Sequence, residues 1–179
     1  MKKPGTITKH DAKNIMCQLD QRDRDIFWIS FETGLRIGDI LKLQIYDVQH
    51  NPMTVYETKS KRSRLIGISD ELHEHLKRKY KYRPSLWGGN GSNLLFLSRY
   101  GVKKAINRST YYRRLRKAST VLKINFSAHS GRKLFAMNVF ERTGSVPAVQ
   151  EALHHKYITT TATYLDIDLE KLLAEYKKS

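Results

Sequence analysis

Thr33-Gly34-Leu35-Arg36-Ile37-Gly38-Asp39-Ile40-Leu41-Lys42-Leu43 is the stretch from which the fold is read. Before it, Ile26, Phe27, Ile29 and Phe31 form the apolar side of a helix, and Gly34 breaks that helix. After it, a short second helix is expected from about Ile37 to Leu43. Arg36 stands at the junction. Free N–H groups at a helix start favour an anion, and an arginine adds a planar fork that fits two phosphate oxygens. Taken alone, an arginine at a turn is explained as well by simple solvation.

Upstream, Thr8 followed by Asp11 reads as a capping box for a helix to about Leu19, and Asp20 caps the next one. Downstream the period changes to two. Residues 53–57 and 64–69 read as strands joined by a basic tip, Lys59-Ser60-Lys61-Arg62-Ser63-Arg64, with a weaker strand near Gln44 to Val48. A helix is expected from Asp70 to about Tyr82, then a Gly-rich loop from Pro84 to Asn93 and a short buried segment from Leu94 to Leu97. Further helices are expected near 108–121, 129–142, 146–154 and 168–177. The fold class is mainly α with one small antiparallel β-sheet, in a single domain over 1–179.

Composition narrows the partners. The chain has 179 residues, 40% hydrophobic and 28% charged, which suits one globular core. Lys and Arg number 33 against 17 Asp and Glu, a formal charge of +16, so a polyanion is expected, nucleic acid before a membrane surface. No apolar run reaches the length of a membrane span and Met1-Lys2-Lys3-Pro4 opens no signal peptide, so a cytoplasmic location is expected. Cys17 is the one cysteine, which excludes an intrachain disulfide, and it reads as a buried apolar side chain beside Ile15, Met16 and Leu19. Asp20, Asp23 and Asp25 read as favourable charges at a helix start rather than as a metal-nuclease site.

Three further signals bear on chemistry. His129 and Arg132 share a helix face, with Ser127 as the expected N-cap. An imidazole beside a guanidinium suits a phosphate: one moves protons while the other neutralises oxygens. Lys59 on a hairpin tip suits proton delivery or DNA contact, or solvation. Tyr164 follows His154, His155 and a Thr-rich stretch, 159–163, whose branched side chains disfavour a stable helix. A phenol becomes a nucleophile only where positive charge stabilises its anion.

The ordered set resembles the tyrosine recombinase (phage integrase) family, catalytic domain. The resemblance is carried by Thr33 to Leu43, by His129-Ser130-Gly131-Arg132-Lys133-Leu134-Phe135-Ala136, and by Leu153-His154-His155-Lys156-Tyr157-Ile158-Thr159-Thr160-Thr161-Ala162-Thr163-Tyr164. It implies the catalytic-domain fold, with Arg36 and Arg132 clamping the scissile phosphate. The resemblance further implies that Lys59 protonates the leaving 5′ oxygen, that His129 transfers protons and that His155 hydrogen-bonds the phosphate. By the same resemblance Tyr164 is expected to form a 3′-phosphotyrosine, with Asp39 supporting the site. It implies neither metal nor nucleotide cofactor, and exchange through a Holliday junction. Where the family has Leu-Gly-His this chain has Leu153-His154-His155, and Lys133 replaces a frequent second histidine.

The expected partner is duplex DNA. Lys61, Arg62 and Arg64 on the hairpin are expected to bind it, with Arg108, Arg113, Arg114 and Lys117 on the helix after Asn107, interleaved with Tyr111 and Tyr112. Lys103 and Lys104 extend that surface. Residues 168–177, with Leu169, Leu172, Leu173 and Tyr176 on one stripe, are expected to dock on a neighbouring subunit in a homotetramer, with a DNA-bending helper as a further partner. No N-terminal core-binding domain is expected within 1–179. A fold-keeping DNA-binding protein without catalysis and a type IB topoisomerase are the alternatives.

Overall fold

Thr8 and Asp11 close the cap expected of them. The Thr8 hydroxyl accepts the Asp11 N–H at 3.2 Å, and the Asp11 carboxylate accepts the Thr8 N–H at 2.8 Å. They open α1, Lys9–Gln18. The structure is a computed structural model and describes residues 7–80, 93–98 and 104–165. The 84–92 loop, Lys103 and the 168–177 segment lie outside the described residues. Cys17 is exposed rather than buried, because α1 turns Ala12 and Ile15 inward and Cys17 falls on the far side.

Asp20 caps α2, Gln21–Thr33, by accepting the Asp23 N–H at 2.9 Å. Gly34 ends it in the left-handed region, φ +64°. A Cβ there would sit 2.4 Å from the Phe135 ring, so neither the backbone nor the packing admits a side chain. The next helix, α3, runs only over Ile37–Ile40, three residues short of Leu43. The chain then straightens so that the Leu43 carbonyl can accept the Leu95 N–H at 2.7 Å.

The expected strand at 44–48 does not form. A single bridge joins Gln44 to Leu94, and Tyr46–Val48 make one turn of 3-10 helix. The Asp47 carboxylate accepts the Gln44 N–H at 2.7 Å, and this local bond competes with a ladder. The sheet is β1, Met53–Glu57, antiparallel to β2, Arg62–Ile66, with Glu57 opposite Arg62 and Val55 opposite Arg64. β2 therefore starts two residues before the expected Arg64. The turn closes where the Lys61 N–H reaches the Glu57 carbonyl at 2.9 Å, so the tip is 58–61. Arg62 and Arg64 become ladder residues.

α4, Asp70–Tyr80, buries Leu72, Leu76 and Tyr80. It also partners the fully buried Asp25, through His75 at 2.9 Å, Tyr80 at 2.7 Å and Lys79. Asp20 caps a helix and Asp23 faces Arg114, so each of the three carboxylates has a partner within the fold. α5, Arg108–Leu122, starts on an Asn107 cap. α6, Ser130–Thr143, packs along α2 in the main core. α7, Val146–Leu153, and α8, Ile158–Leu165, lie against α6 through smaller clusters that include Val149, Leu153 and Ala162. The Thr-rich stretch is thus helical. Thr161 and Ala162 are fully buried, and that packing outweighs the weak helix propensity of threonine. The result is an α+β architecture whose two arginine-bearing junctions meet where α2, α6, α7 and the hairpin converge. Among the described residues no helix is long and apolar enough to cross a membrane.

Candidate active site

Arg132 is the third residue of α6, and its side chain runs inward until only 4% of the residue is exposed. The last carbonyls of a helix lack intrahelical partners. Arg132 uses two such ends: Nη1 donates to the Gly34 carbonyl past α2, and Nη2 donates to the Leu153 carbonyl of α7 at 2.7 Å. One guanidinium therefore ties two helix ends together. Burial, and then repulsion from Arg36, push its pKa down to about 10, while Tyr164 and Glu57 hold it up. It remains a cation at neutral pH.

Arg36 occupies the N-cap position of α3, half-buried, with no side-chain cap bond. Its charge bears on Arg132, Arg64, His154, His155 and Tyr164, so it lies central to the group. Tyr164 projects from α8 towards the start of α6, where its hydroxyl donates to the His129 carbonyl at 3.4 Å. Burial raises the phenol pKa, opposed first by the charge of Arg132, then by a hydrogen bond to Arg132 and by Arg36.

His155 lies edge-on to Tyr164, with ring centroids 5.6 Å apart at 77°. Its Nδ1 sits 3.0 Å from the Thr161 hydroxyl. Burial lowers its pKa to about 4, aided by Arg132, Arg36 and Lys59, so the free site holds it neutral. His154 points elsewhere, its Nδ1 3.9 Å from Glu57 Oε2. It closes α7 in the left-handed region, φ +51°, a conformation that favours glycine. Of the two histidines, His155 is the one whose ring lies against Tyr164.

His129 is exposed at the N-cap position of α6. The helix begins at Ser130, so Ser127 is not its N-cap; the Ser127 hydroxyl accepts the His129 N–H at 3.3 Å in the preceding turn. Partial desolvation of the ring, then the charges of Arg108 and Arg132, lower the His129 pKa. Ser127, His129, Ser130, Lys133 and Tyr164 line a cleft of about 220 Å³. Lys59 stands exposed on the hairpin tip, close enough to affect His155. Asp39, buried, accepts the Thr58 N–H at 3.0 Å and so holds the residue before Lys59.

Among the expected DNA contacts, Lys61, Arg62, Arg108, Arg113 and Lys117 are exposed, as is Lys104. Arg64 turns inward, Nε 3.1 Å from Glu57 Oε1. Arg114, partly exposed, pairs with Asp23 at 3.1 Å and Asp20 at 3.4 Å. Tyr111 is fully buried, and Tyr112 accepts a bond from Arg108 at 2.9 Å. Glu57 was not expected. Its signal was available, since Met53, Val55 and Glu57 share the buried face of β1 and a carboxylate there needs a cationic partner.

Comparison with known proteins decides the family. The model described as the phage integrase family matches residues 6–171. The chain belongs to the phage integrase family, the tyrosine recombinases. This tyrosine recombinase is 30% identical over 169 residues to the probable integrase/recombinase YoeC of Bacillus subtilis, covering 93% of the chain and 90% of that protein. It is 27% identical to the tyrosine recombinase XerD of Lacticaseibacillus casei, over 98% of the chain and 63% of XerD. The crystal structure of XerA recombinase shares its fold with a TM-score of 0.75 at 24% identity, over 99% of this chain and 66% of that one. The XerH recombinase bound to palindromic difH substrate in a post-cleavage complex gives 0.74 at 18%, over 97% and 52%. The recombinase chain thus spans most of YoeC but under two thirds of XerD and about half of XerH.

Proposed function

We propose that this tyrosine recombinase cuts and rejoins double-stranded DNA at specific sites through Tyr164. The observation that carries the proposal is the convergence of Arg132, His155 and Tyr164. A buried guanidinium, fixed on two backbone carbonyls, acts electrostatically on the Tyr164 phenol, which stands edge-on to His155 with ring centroids 5.6 Å apart. A cation held rigidly costs no reorganisation when charge develops on the phosphate.

In the proposed reaction the Tyr164 oxygen attacks phosphorus and forms a 3′-phosphotyrosine. Arg36 and Arg132 hold the non-bridging oxygens, and His155 donates a hydrogen bond to one of them. His129, kept below its ordinary pKa, is unprotonated at neutral pH and accepts the phenolic proton. Lys59 gives a proton to the leaving 5′ oxygen. A 5′-hydroxyl of the partner strand then attacks the phosphotyrosine, the same groups act in reverse, and a Holliday junction results. The diester bond is exchanged for another ester, so no ATP is consumed, and the charges required are all supplied by side chains.

DNA is proposed to lie across the hairpin tip and the exposed face of α5, on Lys61, Arg62, Arg108, Arg113 and Lys117. Segment 168–177 is proposed to dock on a neighbouring subunit of a homotetramer, with DNA bending aided by a helper, in the cytoplasm of the host. The test uses a nicked suicide duplex carrying a site selected from a randomised pool, incubated in EDTA. A covalent protein–DNA band on a denaturing gel is expected. Cleavage only on addition of a divalent metal, without a covalent band, contradicts the proposal. Relaxed plasmid without exchanged strands contradicts recombination.

A further inference from the structure

Glu57 is a carboxylate with 2% of its side chain exposed at the last position of β1, two residues before Lys59. Its contacts surround the hairpin tip. The Ser60 hydroxyl donates to Oε2 at 3.1 Å, the Lys61 N–H donates to the Glu57 carbonyl at 2.9 Å, and Arg64 Nε stands 3.1 Å from Oε1. Asp39 holds Thr58 on the other side. Lys59 is therefore fixed by its two neighbours while its own side chain is exposed. On the opposite flank, Glu57 Oε2 lies 3.9 Å from Nδ1 of His154, the residue next to His155.

We propose that Glu57 is a positioning residue that holds the hairpin tip so that Lys59 is placed against the phosphate site beside His155. The proposal rests on the reading of Lys59 as proton donor to the 5′ oxygen. A single buried carboxylate thus holds the tip of the hairpin and lies beside the turn between α7 and α8 that carries His155. Without the carboxylate the tip keeps the Asp39 and Lys42 bonds to Thr58 and the Lys61–Glu57 backbone bond, and loses its side-chain tie to Ser60 and its charge opposite Arg64. A proton donor displaced by about 1 Å loses up to roughly 100-fold in rate.

The test compares two substrates in single-turnover cleavage by the full chain. One carries the normal 5′-bridging oxygen and the other a 5′-bridging sulfur, which leaves as a thiolate and needs no proton. Glu57→Gln is expected to slow cleavage of the oxygen substrate about 10- to 100-fold and to leave the sulfur substrate within about twofold of the unmodified protein. Ser60→Ala, at an exposed position, is expected to show the same selectivity with a smaller loss, and serves where Glu57→Gln does not fold. Equal losses on both substrates, or no loss on either, overturn the proposal. Lys59→Ala is the separate control. If sulfur fails to rescue it, the proton-donor reading falls and this inference falls with it; if sulfur rescues Lys59→Ala but not the Glu57 and Ser60 variants, the positioning role alone is refuted.

Discussion

Gly34→Ala places a methyl group where α2, α6 and α7 meet. The backbone there has φ +64°, and a non-glycine residue in that region costs about 1–2 kcal/mol. The new Cβ falls 2.4 Å from Phe135 Cδ1 and 3.0 Å from Leu153 Cδ2, so the Phe135 ring must shift within a packed cluster. Overpacking of this kind costs about 1–3 kcal/mol, for a sum of about 2–5 kcal/mol. Gly144→Ala supplies the internal control. It has the same φ, +64°, but nothing within 4 Å of its Cβ position, so only the backbone cost of about 1–2 kcal/mol applies. Urea unfolding of both variants measures the difference directly. Because the Gly34 carbonyl holds Arg132, Gly34→Ala also lowers cleavage, whereas Gly144→Ala leaves it near the original rate. Equal destabilisation by the two substitutions would show that the junction is not tightly packed, and would refute the reasoning.

The remaining predictions concern charge. His155 in the free protein is expected to titrate near pH 4 by NMR, well below the unfolded value of about 6.5, and to rise when phosphate or DNA binds. Its folded pKa is depressed, so the unfolded chain binds the proton more tightly. Stability therefore falls as pH drops from about 6.5 towards 4, and His155→Phe removes that component from the pH dependence of unfolding. A His155 pKa at or above 6.5 in the free protein contradicts the site described. Arg114→Ala leaves the buried Asp23 without its closest cation and is expected to cost about 1–3 kcal/mol with no change in the salt dependence of DNA binding. Arg108→Ala is expected to do the reverse, lowering the salt slope by about 1 and leaving unfolding unchanged. Those two roles exchanged would place Arg114, not Arg108, on the DNA.

Caps and breakers were legible because their chemistry is local. Thr8 with Asp11, Asp20 and Gly34 act within a few residues, and the structure uses each as read. The Gln44–Val48 strand was misread because Asp47 offers its own turn bond, and the start of β2 because the pairing of Lys61 with Glu57 sets the tip. The pairing of Arg114 with Asp23 was not legible because its partner stands 91 residues away, beyond any sequence pattern. The threonines before Tyr164 enter a helix because Thr161 and Ala162 are buried, which propensity alone does not reveal. At the site, motif order identified the side chains brought together around Tyr164. The distance to Tyr164 favoured His155 over His154, and the structure sets the His155 ring against Tyr164 and His154 in a left-handed turn. Glu57 was passed over because a single carboxylate in an alternating strand belongs to no motif.

The central claim is that Tyr164, one tyrosine of ten, carries the covalent bond to DNA. Trapping the protein on a nicked suicide duplex, digesting both components and mapping the adduct by mass spectrometry tests it directly. The account predicts a nucleotide mass on the peptide containing Tyr164, carried on the phenolic oxygen, and no adduct in Tyr164→Phe. An adduct on another residue, the nearby exposed Tyr157 for example, or undiminished trapping by Tyr164→Phe, contradicts it.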